Sequence, residues 1–174
     1  LTPLIFQNLQ DIEVDEVDFD GGYLRNVVVH IDQPAVSDIN IGLDGTQNGI
    51  DVVANNVHMT VTSEFKYKYG FITVTGNADI NIKKVGVDIE MDLLTQPGTP
   101  SYEVAPYLKV SKSNVNLNPN DIDITLSGSF VSKIANLLIP LLKNSVIPSV
   151  IGQVQTTIAD TVQNNIDPAL AVNG

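Results

Sequence analysis

The sequence predicts an α+β fold in which a long, highly curved antiparallel β-sheet wraps around a long C-terminal α-helix. Three observations carry this. From Ile72 to Leu93 apolar and polar residues alternate with little interruption, a run spanning roughly 70 Å at about 3.3 Å per residue, where ordinary strands hold about five or six residues. Its period of two slips once, at Lys83-Lys84, as expected of a β-bulge that bends a strand without ending it. After Gly128 the period becomes 3.6 and holds as far as Ile166, the mark of a helix with one apolar stripe.

The elements follow in order. Ile12 and Val14 alternate, then Val17 and Phe19 continue in the opposite phase up to the Gly21-Gly22 turn. Leu24, Val27, Val29 and Ile31 form the next strand, which Pro34 ends, and Ile39, Ile41 and Leu43 form a short one closed by Asp44-Gly45. A longer strand runs from Ile50 to Phe65. A turn at Tyr67-Lys68-Tyr69-Gly70 joins it to the long one, pairing Phe65 with Ile72, Met59 with Ala78 and Val57 with Ile80, with every apolar residue on one face. A turn over Thr95 to Pro100 sets Val87 opposite Leu108 and Val85 opposite Val110. Ile122, Ile124 and Leu126 form the last strand, after the break at Asn118-Pro119.

The helical stripe comprises Phe130, Ile134, Leu137, Leu138, Leu141, Leu142, Val146, Val150, Ile151, Val154, Ile158, Val162 and Ile166. Ser127 or Ser129 is the expected N-cap, and Asp167-Pro168 the expected stop, because the residue before proline disfavours helical dihedrals. Pro140 and Pro148 are expected to kink or split the helix. The chain reads as a single domain over 1–174, with strands over about 10–127 and the helix over about 129–166.

Composition narrows the function classes. At 43% hydrophobic and 17% charged residues, the 174-residue chain has the makings of a folded core. A net charge of -11 opposes nucleic-acid binding, which needs clustered Lys and Arg. Cysteine is absent, so disulfides and thiolate metal sites are impossible. No apolar run reaches the roughly eighteen residues of a membrane span.

The chemistry-bearing motifs are few. Glu16-x-Asp18-x-Asp20-Gly21 opens like a calcium loop, but its twelfth position is Val27 where a bidentate Glu is needed; a solvated strand face is the better reading, and no metal site is expected. His30 and His58 neighbour no nucleophile, and no Gly-x-Ser-x-Gly, His-Glu-x-x-His or phosphate-cradling loop occurs, so no catalytic residue is named and no enzyme is expected. The densest feature is Phe65-Lys66-Tyr67-Lys68-Tyr69-Gly70-Phe71, which holds four of the ten aromatic residues (five Tyr, five Phe). Aromatic rings interleaved with lysines at a hairpin tip suit a membrane–water interface; cross-strand aromatic pairs that merely stabilise the hairpin explain the same residues. Membrane contact is assigned to Phe65, Lys66, Tyr67, Lys68, Tyr69 and Phe71.

The stretch Val61 to Leu93, with its aromatic and basic tip, the step Thr75-Gly76-Asn77, Asp79 and the break near Lys84, resembles the N-terminal domain of the bactericidal/permeability-increasing and lipopolysaccharide-binding protein family, within the tubular lipid-binding superfamily. The resemblance continues through Asp123-Ile124-Thr125-Leu126 into the helix. It implies a tubular, barrel-like half whose elongated apolar cavity holds the acyl chains of a phospholipid or fatty-acyl lipid. It also implies no cofactor beyond that lipid, an extracellular or luminal setting and peripheral membrane contact. Nominated cavity residues are Val57, Met59, Val61, Ile72, Val74, Ile80, Val87, Ile89, Met91, Val104, Leu108, Ile134, Leu137, Leu138, Leu141, Val150, Val154 and Ile158. Three departures stand out: the family's disulfide is impossible here, its cationic character is absent, and its helix ahead of the first strand is expected to be missing. The alternative is a solid-cored structural or adhesion module that binds protein partners.

Overall fold

The computed structural model describes residues 6–9, 11–44, 48–95 and 106–173. Eight strands form one antiparallel sheet: β1 Asp11–Val14, β2 Val17–Phe19, β3 Gly22–Ile31, β4 Ile39–Asp44, β5 Gly49–Tyr69, β6 Ile72–Thr95, β7 Pro106–Asn116 and β8 Ile122–Gly128. The main path runs β1-β3-β5-β6-β7, with β2 paired to β3, β4 to β5 and β8 to β6.

Long strands share their edges between two shorter ones, and each hand-over falls at a bulge. β3 covers β5 from Tyr67 to Met59 and β4 covers it from Ala54 to Gly49; β8 covers β6 from Gly76 to Ile82 and β7 from Gly86 to Thr95. Opposite the bulge expected at Lys83-Lys84 the register steps from Met59↔Ile82 to Val57↔Val85. Two further bulges, at Asn26 in β3 and Asn56 in β5, accompany it. Asn26, Asn56 and Lys84 all carry positive φ, at 50°, 54° and 56°. Asparagine tolerates that left-handed conformation; a lysine there costs roughly 1–2 kcal/mol. The bulges bend the long strands that make up the wall.

Two predicted registers are wrong by an instructive amount. The β5–β6 hairpin turns at Gly70-Phe71, so that Tyr69 meets Ile72, Phe65 meets Gly76 and Val61 meets Ile80. Gly70 supplies the positive φ (60°) that a tight two-residue loop needs at its first position. From Phe65 to Met59 the partners are four residues on from those predicted, an even shift that keeps every side chain on its face; at Val57, past the β6 bulge, the shift is five, and the bulge's extra residue keeps Val85 on the core face. Across the next connection Val87 meets Val115 and Met91 meets Val110, in place of Leu108 and a Val85–Val110 pair.

The helical region comprises α1 (Val131–Leu141), a π-helical turn (Leu142–Val146) and α2 (Ile147–Asn173). The break expected from Pro140 and Pro148 takes the form of this wider turn. Two expectations are corrected. Ser127 lies in β8 and Ser129 in a turn; the N-cap is Phe130, in left-handed conformation (φ 63°) with no side-chain cap. Helical backbone continues through Asp167-Pro168 to Asn173, since proline removes one amide donor without forbidding the turn. Ahead of β1, Phe6 and Gln7 are helical, and Phe6 and Leu9 are buried in the core. By length and composition Val131–Asn165 would pass for a membrane span, contrary to the sequence reading, but its apolar stripe is committed to the sheet.

α2 lies between the two outer strands β1 and β7. Along β7 its glutamines stand in for a missing strand: Gln155 Oε1 accepts from the Val115 N–H (2.9 Å), Gln163 Oε1 accepts from the Val110 N–H (2.8 Å), and Gln163 Nε2 donates to the Leu108 carbonyl (2.9 Å). On the other side the Asp15 N–H donates to Gln153 Oε1 at 3.0 Å. Edge groups that would otherwise invite another chain are thereby satisfied.

Candidate functional site

The interior between sheet and helix is apolar apart from Ser63, whose buried hydroxyl donates to the Ala78 carbonyl. Val57, Met59, Val61, Val74, Ile80, Val87, Ile89, Met91 and Leu108 are buried on the concave face of the sheet, and Ile134, Leu138, Val150, Val154 and Ile158 are buried on the helix facing them, with Leu141 partly buried. Leu142, Val146, Ile147, Ile151 and Val162 extend the helical side, and Ile12, Leu24, Val29 and Phe6 the strand side. Two nominated cavity residues are not inside. Ile72 is 47% exposed because it borders the hairpin loop, and Leu137 is 44% exposed because it sits one position off the buried Ile134–Leu138 line of α1. Val104 lies outside the described residues.

At the end of the sheet farthest from the Gly70-Phe71 hairpin, the concave face outruns its cover. Ile39, Ile41 and Leu43 pair with Ala54, Val52 and Ile50 and so share the core face. Their exposure climbs along β4: Ile39 is partly buried, Ile41 is 55% exposed and Leu43 85%. Leu93 is exposed at the same end of β6. An apolar surface therefore leads without a polar break from the buried interior to solvent.

The hairpin tip separates into two faces. Phe65 and Tyr67 are buried, Tyr67 stacking on Phe19 with ring centroids 6.2 Å apart, so these two belong to the core and not to the exposed tip as predicted: their alternation puts them on the concave side. Lys66, Lys68, Tyr69 and Phe71 are exposed, Phe71 fully. Ion pairs among the described residues engage Arg25 with Glu64, Lys83 with Asp123, Lys84 with Asp121, and Lys112 with Asp88 and Glu90. Lys66 instead lies over the Tyr23 ring at 5.9 Å, and Lys133 of α1 over the exposed Phe130 ring at 5.5 Å. Among the described residues Lys66 and Lys133 thus meet aromatic rings, the half-buried Tyr23 and the exposed Phe130, and no carboxylate within ion-pair distance.

Three solvent-open concavities lie elsewhere. A groove of about 370 Å³ beside the β5 and β6 bulges is lined by Asn55, Lys84, Asp88 and Asn118; one of about 240 Å³ lies between Arg25, Glu64 and Lys66; and one of about 450 Å³ separates Glu13 of β1 and the following Asp15 from Ser149, Gly152 and Gln153 of α2. Their linings are mostly polar, which does not suit an acyl chain. Glu16, Asp18 and Asp20 run along β2 and its turn. His30 and His58 both bond carboxylates on the convex face. Sequence reasoning missed Gln153, Gln155 and Gln163, which close the sheet onto the helix; a glutamine on a helix carries no pattern that announces such a bond.

No protein-family model and no curated protein matches the chain. Solved structures do. The chain is similar to a crystal structure of lipopolysaccharide binding protein (TM-score 0.64, 16% identity), over 95% of this chain and 37% of that one. It is also similar to Takeout 1 of Epiphyas postvittana (TM-score 0.58, 16% identity), over 92% of this chain and 78% of that one. The chain thus spans little more than a third of the first of these structures. The fold is the tubular lipid-binding fold, as the resemblance implied.

Proposed function

We propose that this domain is a non-enzymatic lipid carrier. It holds the acyl chains of a phospholipid or fatty-acyl lipid between sheet and helix, and it touches membranes with the hairpin tip. The observation that carries this reading is the uncovered apolar face on β4, where Ile41 and Leu43 lead from the buried interior to solvent. Exposed, contiguous apolar surface is uncommon unless something binds there. Each methylene withdrawn from water would contribute about 0.8 kcal/mol, so chain length would govern affinity more than headgroup. The fold shared with lipopolysaccharide binding protein supports lipid as the ligand class; the scarcity of basic residues disfavours lipopolysaccharide itself.

The tip adds the membrane side of the reading. Phe71 and Tyr69 are free to enter the interface, and Lys66 and Lys68 are placed to meet lipid phosphates. An extracellular or luminal setting goes with this function. Organic extraction of the purified protein, followed by mass spectrometry, tests it directly. Stoichiometric lipid is the expected result. A clean extract, with no uptake of a fluorescent fatty acid, would instead favour a structural module whose open β4 edge binds protein.

A further inference from the structure

We propose that Asp11, His30, Asp32 and His58 form a proton-operated clasp on β1, holding that strand to the sheet while His30 is charged and loosening it when the proton leaves. The four side chains lie in one line across the convex face. Asp11 Oδ1 is 2.8 Å from His30 Nδ1, Asp32 Oδ1 is 3.2 Å from His30 Nε2, and Asp32 Oδ2 is 2.7 Å from His58 Nδ1. Both histidines of the chain are in it, and the line joins β1 through β3 to β5.

The geometry at His30 is specific. Carboxylate oxygens stand at both ring nitrogens, and a neutral imidazole has only one N–H to give. Only the imidazolium satisfies both. In agreement, the hydrogen bond to Asp11 raises His30 above its ordinary value, the charges of Asp11 and Asp32 add to it, and partial burial offsets only some of the rise. The surroundings sharpen this. β1 brings Asp11 and Glu13 to this face, the residue just after β3 is Asp32, and β5 brings Thr60, opposite His30, together with His58. On the next strand Lys83 is held by Asp123, so among the described residues neither lysine nor arginine enters the clasp. The group is not a metal centre, since no set of three or more ligating side chains converges among the described residues.

β1 is where such a clasp matters. It is four residues long, and among the described residues its backbone pairs on one side only, with β3. Its other side faces the cleft of about 450 Å³ beside α2, bridged by the Asp15–Gln153 bond. A methyl group added at Gly152 would meet nothing within 4 Å, so the cleft is open there. A group raised in the folded state contributes stability that is fully present below its unfolded value near 6.5 and lost as pH climbs through the folded value. The clasp is therefore tight in mild acid and loose in mild alkali, and the width of the β1–α2 cleft follows it. This inference does not depend on what the interior carries.

The test uses amide hydrogen exchange of the full chain at pH 5.5 and pH 8.0, corrected for intrinsic exchange. Protection of residues 11–14 should be several-fold greater at pH 5.5, while the β6–β7 ladder is unchanged. His30→Gln, which keeps a polar donor but cannot titrate, should abolish the difference, and Asp11→Asn should lower the midpoint of the His30 ring followed by NMR. Equal protection of β1 at both pH values, or a pH dependence that survives in His30→Gln, overturns the proposal.

Discussion

Gly76 of β6 sits directly opposite Gly128 of β8, and neither has room for a methyl group. A Cβ on Gly76 would collide with the backbone oxygen of Ser127, and one on Gly128 would stand 2.6 Å from the Thr75 oxygen. Here the last strand crosses close over the long one before the chain turns into α1. Gly76→Ala should cost about 1–3 kcal/mol, the usual penalty of overpacking. Gly152→Ala, in open space on a helix, should instead stabilise by about 0.5–1 kcal/mol. Urea midpoints of the two variants, moving in opposite directions, check both.

The glutamine rungs on β7 should be individually measurable. Gln155→Ala removes one bond to the edge backbone and Gln163→Ala two, each worth roughly 0.5–1.5 kcal/mol net. The amides of Val115 and Val110 should then exchange faster in the respective variant, with β5–β6 amides unaffected. Unchanged exchange would mean that water replaces the glutamine at no loss.

Leu138 and Leu137 are neighbours in sequence with opposite fates, one fully buried and the other on the surface of α1. Leu138→Ala should cost about 2–5 kcal/mol as a core truncation, whereas Leu137→Ala should stay within about 1 kcal/mol. Thermal unfolding of the pair reads the orientation of α1.

At the tip, Lys66→Glu with Lys68→Glu should weaken binding to vesicles containing anionic lipid by about 2 kcal/mol, taking roughly 1 kcal/mol per basic residue. Phe71→Ser should weaken binding to neutral vesicles as well, because its loss is apolar. Because Phe65 and Tyr67 are core residues, their replacement should lower stability before it touches membrane affinity. Co-sedimentation at two salt concentrations separates the charged contribution from the apolar one.

Much of this was readable from alternation alone. The length of β6, its bulge at Lys83-Lys84 and the helix after Gly128 each leave a periodic trace. Two more bulges left the same trace and went unread: apolar positions jump phase from Leu24 to Val27 and from Ala54 to Val57, with an asparagine in each gap. Register was harder. Any even shift keeps apolar residues on one face, so face matching could not choose between a turn at Tyr67–Gly70 and one at Gly70-Phe71. Of the site residues, interior strand positions followed from pattern. Burial of Phe65 and Tyr67, by contrast, needed the position of the turn, and exposure of Leu137 needed the angle at which α1 meets the sheet. Helix-to-edge bonding by Gln155 and Gln163 depends on tertiary placement and leaves no local mark.

The open flank of β4 has a colloidal consequence. A strand with one side unpaired among the described residues and protruding Ile41 and Leu43 is a template for a neighbouring molecule's strand, and a net charge of -11 sets up mutual repulsion that opposes such contact. Concentrated salt, or acid strong enough to neutralise the carboxylates, removes that shield. Precipitation under those conditions should start from this flank, and a lysine in place of Leu43 should keep the protein in solution.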